Sequence, residues 1–329
     1  MKAIVYEEYG PPQVLKLEEV DQPIPKKNEV LIKVKASTVG YGDCLARGKI
    51  TLEKFNMPLP LYPIMRLVFG IRKPKNKILG SEISGIIEDI GENITKFKKG
   101  DEIFAYIGQS MGGYAEYRCL SEKGTISLKP SNLSFEESAS VPYGSIMAYS
   151  IIERLNIKAG MKVLILGASG GIGHFAVQFS KFFGAEVTGV CGTERVELVK
   201  SLGADTVIDY TKEDFSKNGE LYDIIIDIIH SSSFKKVKNS LNNNGRYVLT
   251  SFGLKNVFHM LWRKIRRGKQ VLCMMARESG KNLELIKKLI EEGKLTTIVD
   301  KIYPMEQAAE AHSYVETGKK KGQIIIRIS

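Results

Sequence analysis

The chain has 329 residues and a net charge of +11, with 43% hydrophobic and 26% charged residues, the composition of a globular protein long enough for two domains. The basic residues are spread along the chain, and no apolar run approaches the roughly 18 residues of a membrane span, so we expect neither a nucleic-acid-binding nor a membrane protein. The start, MKAIVYEEYG, lacks the apolar segment of a signal peptide, and the four scattered cysteines form no C-x-x-C pair. Both features favour a cytoplasmic location.

The first third of the sequence is typical of an antiparallel β domain, with short alternating segments separated by turns. Prolines interrupt residues 45–78, which we interpret as a long loop or short helix near the mouth of a pocket. The predicted strands are Lys2–Glu7, Leu15–Val20, Glu29–Lys35, Ile78–Ile90, Phe97–Ala105 and Gly113–Leu120.

The pattern changes near Leu128. Ser134 is a candidate helix N-cap, and Val141–Leu155 is predicted to be a buried helix. From there strands and helices alternate, which predicts an α/β fold with a doubly wound parallel sheet. The predicted strands are Val163–Leu166, Glu186–Cys191, Thr206–Asp209, Tyr222–Ile229, Arg246–Ser251 and Gln270–Met275, with helices at His174–Phe183, Val196–Leu202, Leu283–Leu289 and Met305–Glu316. A last strand, Gly322–Ile328, is expected to return to the first domain.

A glycine-rich turn follows the first strand of the predicted parallel sheet and leads into a helix. This is the context of a dinucleotide site, because a pyrophosphate must reach backbone N–H groups at a helix N-terminus and Cβ atoms would keep it away. The spacing is G-x-x-G-G-x-G rather than the usual G-x-G-x-x-G, so a turn that binds nothing is the alternative. The candidate cofactor contacts are Ser169, Gly170, Gly171, Ile172 and Gly173.

Several segments together resemble the medium-chain dehydrogenase/reductase superfamily, and within it the zinc-independent quinone oxidoreductase-like branch. They include ILGSEISGIIEDIGENITKFKKGDEIFA, VLILGASGGIGHFAVQFSKFFGAEVTGV and the C-terminal KGQIII, and the similarity covers nearly the full length. The resemblance implies a GroES-like catalytic domain, residues 1–128 completed by 299–329, and a Rossmann domain, residues 129–298. It also implies a cleft between them where a nicotinamide meets substrate.

The zinc ligands of the zinc-dependent members are missing from the matching positions. Gly40 stands where those members have a cysteine, and Ser81 where they have the histidine of a Gly-His-Glu motif. Because glycine and serine cannot replace a thiolate and an imidazole, we expect no zinc. The alternative is that Cys44 and Glu82 bind a metal ion. Without that Lewis acid, conjugate reduction of an enone or quinone is favoured over alcohol oxidation. The alternative is an NAD(P)-dependent alcohol, aldehyde or other carbonyl oxidoreductase of the same fold.

The turn after the second strand of the parallel sheet predicts the cofactor. Thr193 can donate a hydrogen bond to a 2′-phosphate and Arg195 can pair with it. Tyr210 matches a tyrosine that NADPH-using relatives carry further on. We therefore favour NADPH over NADH. The alternatives are that Glu194 binds the ribose hydroxyls of NADH, and that Arg195 is an ordinary surface residue.

The resemblance places Tyr41, Asp43, Tyr143 and Met147 near the nicotinamide. Tyr41 and Tyr143 are candidate catalytic residues, because a tyrosine can protonate the enolate that follows hydride transfer. Alternatively they form a hydrophobic wall, and water gives the proton. Relatives often have threonine where Met147 stands, so a non-enzymatic NADPH-binding protein is a further alternative. Four residues after the fifth strand, Thr250, Ser251, Phe252 and Gly253, are expected to touch the nicotinamide end.

The remaining expectations concern the histidines and the assembly. His259 and His312 are expected at the surface, and His174 either near phosphate or facing solvent. The apolar edge strand 270–275 predicts a homodimer, because an exposed edge invites pairing. A short-chain dehydrogenase is not expected, because the sequence has no Tyr-x-x-x-Lys pair.

Overall fold

Two large sheets, one parallel and one mostly antiparallel, organise the chain. The structure is a computed structural model that describes residues 1–48, 67, 69–250, 256, 260, 268–274 and 280–329. Its strands are β1 Lys2–Val5, β2 Lys16–Glu19, β3 Glu29–Val39, β4 Glu82–Ile90, β5 Glu102–Tyr106, β6 Tyr117–Ser121, β7 Thr125–Leu128, β8 Lys162–Leu166, β9 Glu186–Cys191, β10 Thr206–Asp209, β11 Tyr222–Asp227, β12 Leu241–Leu249, β13 Gln270–Cys273, β14 Val299–Pro304 and β15 Gln323–Arg327. Its α-helices are α1 Tyr41–Arg47, α2 Phe135–Ala139, α3 Pro142–Leu155, α4 Gly173–Phe182, α5 Val196–Ser201, α6 Phe234–Val237, α7 Gly280–Glu291 and α8 Ala308–Glu316.

The parallel sheet has six strands in the order β10-β9-β8-β11-β12-β13. Its central strand β11 is apolar on both faces: Ile224 and Ile226 pack with Phe175 of α4 on one side, and Ile225 packs with Val237 of α6 on the other. Successive side chains of a strand point to opposite faces, so a continuous apolar run requires helices on both sides. The strand order reverses between β8 and β11, and this opens a crevice at the carboxyl ends of the strands.

The second sheet has seven strands in the order β14-β15-β3-β4-β5-β7, with β6 also paired to β3. The C-terminal strand β15 lies antiparallel to β3, with Ile326 opposite Ser37. The last strand therefore returns to the N-terminal part of the chain, as the sequence predicts. Among the helices that the structure describes, none has the length and apolarity to cross a membrane.

The predicted strands of both sheets are confirmed, with ends that differ by a few residues. The strands Glu186–Cys191 and Thr206–Asp209 match to the residue. Ser134 is confirmed as an N-cap, since its side chain accepts a hydrogen bond from the Glu137 N–H at 3.1 Å. Strand β7 was not predicted, and neither was strand β14. Strand β14 has polar and half-exposed positions and lies at the edge of its sheet, so its sequence lacks an alternating pattern.

A buried arginine joins α1, which begins with the candidate residue Tyr41, to α8 near the C-terminus. Arg47 is 2% exposed, and its Nη2 forms an ion pair with the Glu316 carboxylate. Its Nε also donates a hydrogen bond to the Gly10 carbonyl oxygen, at 3.2 Å. Two segments that are far apart in sequence thus share one charge pair.

Replacing Glu316 with glutamine is expected to lower the free energy of unfolding by about 1 to 2 kcal/mol, because the guanidinium stays buried and loses its compensating charge, while water screens part of the interaction at the 41% exposed Glu316. Urea denaturation measures the change. Glu310→Gln, on an exposed position of the same helix, is the matched control and is expected to change stability by less than about 0.5 kcal/mol. Equal stability of the two variants would show that this ion pair does not hold α1 in place.

Candidate active site

The glycine turn between β8 and α4 is packed too tightly for side chains. Gly167 has a φ of +83°, which favours glycine. A Cβ on Gly173 would lie 2.0 Å from the Gly167 carbonyl oxygen, so the first residue of α4 touches the turn backbone directly. The helix N-terminus is thereby brought to the end of the strand, as a dinucleotide turn requires.

The turn also has free hydrogen-bond donors. Gly170 N–H donates to the Gly167 carbonyl oxygen, at 3.0 Å. By contrast, the N–H groups of Gly171, Ile172 and Gly173 meet no protein acceptor among the residues that the structure describes. Unpartnered N–H groups at the start of a helix attract an anion, so the turn fits the pyrophosphate of a dinucleotide.

Helix α3 lies against this turn and carries two of the predicted nicotinamide contacts. A Cβ on Gly144 would lie only 2.1 Å from the Gly171 carbonyl oxygen. Tyr143 and Met147 are four residues apart on α3 and therefore share a face. Tyr143 is partly exposed, and its ring lies 5.4 Å from that of Tyr106. The structure thus brings α3 and the glycine turn together.

Tyr41, the other candidate catalytic residue, begins α1 and is 60% exposed. Asp43 holds the loop before Tyr41 in place, because its carboxylate accepts hydrogen bonds from Gly40 N–H at 2.9 Å and Gly80 N–H at 3.1 Å. Burial raises the pKa of Asp43 to about 6, although these bonds act in the opposite direction. The Asp43 carboxylate therefore joins the Tyr41 loop to the segment before β4.

Glu82 is a site residue that the sequence analysis considered only as an alternative metal ligand. It is 2% exposed, and its carboxylate accepts hydrogen bonds from the Thr38 hydroxyl and from the Tyr143 N–H, both at 2.7 Å. Burial raises the pKa of Glu82 to about 7, and the two hydrogen bonds and the charge of Lys320 oppose the rise. The available signal was a charged residue at the start of an apolar strand, ILGSEISGII.

Glu82→Gln is expected to stabilise the protein more at pH 8 than at pH 5. The folded-state pKa, about 7, lies above the ordinary value of 4.5, so proton binding favours the folded state and stability falls as pH rises between these values. The variant lacks this loss, which is on the order of 3 kcal/mol. Asp43 and Lys320, the charged neighbours, are common to both proteins. Thermal unfolding at the two pH values measures the effect, and a stability difference that does not change with pH would contradict it.

The segment between α8 and β15 brings a cation to the glycine turn. Lys320 Nζ donates to Gln323 Oε1 at 3.3 Å, and a Cβ on Gly171 would lie 2.8 Å from Gln323 Nε2. Burial lowers the pKa of Lys320, and the nearby Glu82 carboxylate opposes the shift. The sequence analysis missed both residues, because only the pairing of β15 with β3 brings them to the turn.

The three predicted 2′-phosphate contacts lie together after β9 and β10, around a carboxylate. Thr193 Oγ1 donates to Asp209 Oδ2 at 2.7 Å, and this bond, with those from Thr211, lowers the pKa of Asp209 to about 2. Arg195 Nη2 donates to the Gly318 carbonyl oxygen at 2.6 Å. The Tyr210 ring lies over the same turn, with its hydroxyl 3.4 Å from a Cβ built on Gly192. The Thr193 hydroxyl thus donates its hydrogen bond to Asp209 in this structure.

Another buried carboxylate, that of Asp227, orders the loop on the far side of the crevice. Asp227, at the end of β11, accepts hydrogen bonds from the Ser231 and Ser232 N–H groups at 3.0 and 2.9 Å, and from the Tyr247 hydroxyl at 2.8 Å. Thr250 Oγ1 donates to the Ile228 carbonyl oxygen at 3.1 Å, beside this loop. The other three predicted contacts, Ser251, Phe252 and Gly253, lie outside the described residues.

The surface position expected for His312 is wrong. The residue is fully buried, with Nδ1 3.5 Å from Cys44 Sγ and Nε2 3.2 Å from the Tyr114 hydroxyl, and burial lowers its pKa to about 3. It lies on the face of α8 that packs against α1. His174 does not face solvent either: its Nδ1–H donates to the Gly170 carbonyl oxygen at 3.0 Å. His259 lies outside the described residues.

Gly40 and Ser81, where zinc-dependent relatives have ligands, lie at the start of α1 and just before β4. In the part of the chain that the structure describes, no group of three or more His, Cys, Asp and Glu side chains is arranged to hold a metal ion.

Comparison with known proteins supports the fold. The model of the alcohol dehydrogenase GroES-like domain matches residues 26–130, and that of the zinc-binding dehydrogenases matches residues 202–326. The 2-methylene-furan-3-one reductase of Solanum lycopersicum is 32% identical over 99% of this chain and 79% of its own length. The NADPH-dependent alkenal/one oxidoreductase of Arabidopsis thaliana, a chloroplastic protein, has the same identity and coverage.

Among solved structures, the quinone oxidoreductase from Coxiella burnetii superposes with a TM-score of 0.86 at 27% identity, covering 100% of this chain and 99% of its own. The parallel sheet is thus a Rossmann fold, and the antiparallel sheet belongs to a GroES-like β domain. On this identity and coverage, the chain belongs to the medium-chain dehydrogenase/reductase superfamily, as a quinone/enone reductase-like oxidoreductase.

Proposed function

We propose that this protein transfers a hydride from NADPH to a quinone or an α,β-unsaturated carbonyl compound without zinc. The observation that carries the proposal is the meeting of a dinucleotide turn with a β domain that has Gly40 and Ser81 at the positions of the zinc ligands. The names of the relatives, an alkenal/one oxidoreductase and a furanone reductase, support the same class of substrate.

NADPH supplies the hydride when it is bound. An enone or a quinone spreads the arriving negative charge over a conjugated system, so the reduction does not need the Lewis acid that an alcohol dehydrogenase uses. The chain's own task is then to orient the two reactants and to keep water away from the transfer. Tyr41 and Tyr143 have exposed side chains suited to form the walls of such a site, and either hydroxyl can supply the final proton.

Charge around the adenosine end supports NADPH over NADH. Arg195 donates to the Gly318 carbonyl oxygen, just before Lys319 and Lys321 in the sequence. Two acids of the region are already paired: Asp209 accepts from Thr193 and Thr211, and Glu194 lies 3.4 Å from Lys321 Nζ. Positive charge beside carboxylates that are already paired favours a 2′-phosphate over a pair of ribose hydroxyls.

The first test compares NADPH and NADH oxidation by the purified protein with a panel of quinones, enones and simple aldehydes. We expect turnover with NADPH and a conjugated acceptor, unchanged by a metal chelator. Loss of activity on chelation would overturn the zinc-independent assignment. Tight NADPH binding with no turnover on any acceptor would favour the non-enzymatic alternative instead.

The domain boundaries are proposed at residues 128/129 and 298/299. Strand β7 ends at Leu128 and β14 begins at Val299, and both strands belong to the antiparallel sheet.

A cytoplasmic location is also proposed, and it is supported by the free thiols of the four cysteines.

A homodimer is expected in solution. Strand β13 pairs with β12 on one side, and among the described strands it has no partner on the other. Pairing of two such edges would continue the sheet across two copies of the chain. Light scattering at micromolar concentration is expected to give twice the chain mass of 36.7 kDa. A single-chain mass under these conditions would contradict the prediction.

A further inference from the structure

We propose that the Glu82 carboxylate makes the site bind oxidised nicotinamide cofactor in preference to the reduced form, and so promotes hydride donation. This inference rests on the proposed function, because it assumes that a nicotinamide dinucleotide occupies the cleft. It assigns to Glu82 a role in tuning the reaction that is separate from folding.

The hydrogen bonds of Glu82 favour its carboxylate form, and although burial raises its pKa to about 7, the group is mainly ionised at pH 8. One oxygen accepts a hydrogen bond from the Tyr143 N–H, which can only donate, and the other accepts from the Thr38 hydroxyl. The residue is 2% exposed, so water does not screen its charge. A buried charge of this kind acts on its neighbours far more strongly than one at the surface.

The direction of an extended dinucleotide brings its nicotinamide end to this carboxylate. The candidate 2′-phosphate contacts lie after β9 and β10, on one side of the glycine turn. The nicotinamide end must then lie on the other side of the turn, where α3 and the β domain meet. There Gly144 packs against Gly171, and the preceding residue, Tyr143, donates to Glu82. The carboxylate therefore lies directly behind the first turn of α3.

The charge of the nicotinamide ring changes during the reaction. The reduced ring is neutral, and the oxidised ring carries one positive charge. The hydride takes two electrons and a proton to the electrophilic carbon of the acceptor, and the resulting enolate or hydroquinone anion takes its proton from a tyrosine or from water. Positive charge thus develops on the ring in the transition state, and a fixed carboxylate beside it stabilises that charge.

The other charges around Glu82 leave this effect in place. Asp43 adds a second buried carboxylate, and Lys320 adds one ammonium group. Arg47 does not compensate Asp43, because its guanidinium is paired with Glu316. At pH 8 both carboxylates are mainly ionised, so the cluster around the ring carries more negative than positive charge.

The test is the ratio of the dissociation constants of NADP⁺ and NADPH, measured by calorimetry at pH 8. In Glu82→Gln this ratio is expected to rise about tenfold relative to the wild type, which corresponds to about 30 mV in the potential of the bound couple. General damage to the site changes both dissociation constants alike and leaves their ratio unchanged, because the two forms share the same adenosine, pyrophosphate and riboses. Glu153→Gln, at an exposed position near the other end of α3, is the matched control and is expected to leave the ratio unchanged.

Lys320→Met tests the same electrostatic effect by removing a positive charge near the Glu82 carboxylate instead of the carboxylate itself. It removes the positive neighbour, so the ratio is expected to fall even where both forms bind more weakly; this variant also decides the matter if Glu82→Gln does not fold. A ratio in both variants within about twofold of the wild type would overturn the inference. Failure of the wild type to bind either cofactor form would instead reject the proposed function.

Discussion

Replacing Gly173 with alanine is expected to abolish measurable NADPH binding. The new Cβ would lie 2.0 Å from the Gly167 carbonyl oxygen and 2.9 Å from the backbone of Ala168. These are backbone atoms, so no side chain can rotate away, and the start of α4 must separate from the strand end. The N–H groups of the turn then no longer converge on one anion. We expect the dissociation constant to increase at least about 100-fold.

Fluorescence titration with NADPH measures this effect, and thermal unfolding of the same sample shows whether the protein is still folded. Gly42→Ala is the control, because a Cβ at that helical position meets nothing within 4 Å. It is expected to bind NADPH as the wild type does. An affinity for Gly173→Ala within about threefold of the wild type would show that the turn does not bind the cofactor.

The parts of the fold that were predicted correctly have local sequence signals. The run Ile224–Ile226 of β11 is apolar at consecutive positions, and this is typical of a strand covered on both faces. The glycine turn is equally local, because its function depends on the absence of four neighbouring side chains. Strand β14 has no such signal: its sequence VDKIYP is polar and half exposed, and only its pairing with β15 makes it a strand.

The parts of the site that were missed depend on contacts between distant segments. Lys320 lies about 150 positions from the glycine turn and reaches it only because β15 pairs with β3. The interior position of His312 likewise follows from the packing of α8 on α1, which brings it against Cys44. No spacing within the sequence encodes either contact. Local pattern therefore predicted the glycine turn, and tertiary packing supplied the charged groups around it.

Those charged groups also lower the stability of the folded protein, because two of them are buried carboxylates. Asp43 and Glu82 are carboxylates held away from water, with pKa values raised to about 6 and about 7. A protein selected for stability alone would have neutral or apolar side chains at such positions. The expected gain in stability of Glu82→Gln at high pH, together with its expected effect on cofactor preference, would connect that cost to the reaction.

Arg195→Ala is expected to weaken NADPH binding about 10- to 100-fold and to leave NADH binding nearly unchanged, because the two cofactors differ only in the 2′-phosphate. In the structure the guanidinium donates to the Gly318 carbonyl oxygen at 2.6 Å, beside the lysines of residues 319–321. The variant therefore also loosens the contact between the Rossmann turn and the C-terminal segment. That second effect acts on both cofactors alike, so the ratio of the two affinities isolates the phosphate contact.

Parallel titrations with NADPH and NADH at constant ionic strength measure the ratio. Lys200→Ala is the matched control, since it removes the same charge from α5, where Lys200 pairs with the exposed Glu197. It is expected to change neither affinity by more than about twofold. An equal loss of NADPH and NADH affinity in Arg195→Ala would show that the arginine holds the C-terminal segment in place and does not bind the 2′-phosphate. A preference for NADH in the wild type would point instead to the ribose hydroxyls as the group recognised at this turn, with Glu194 released from Lys321 to bind them.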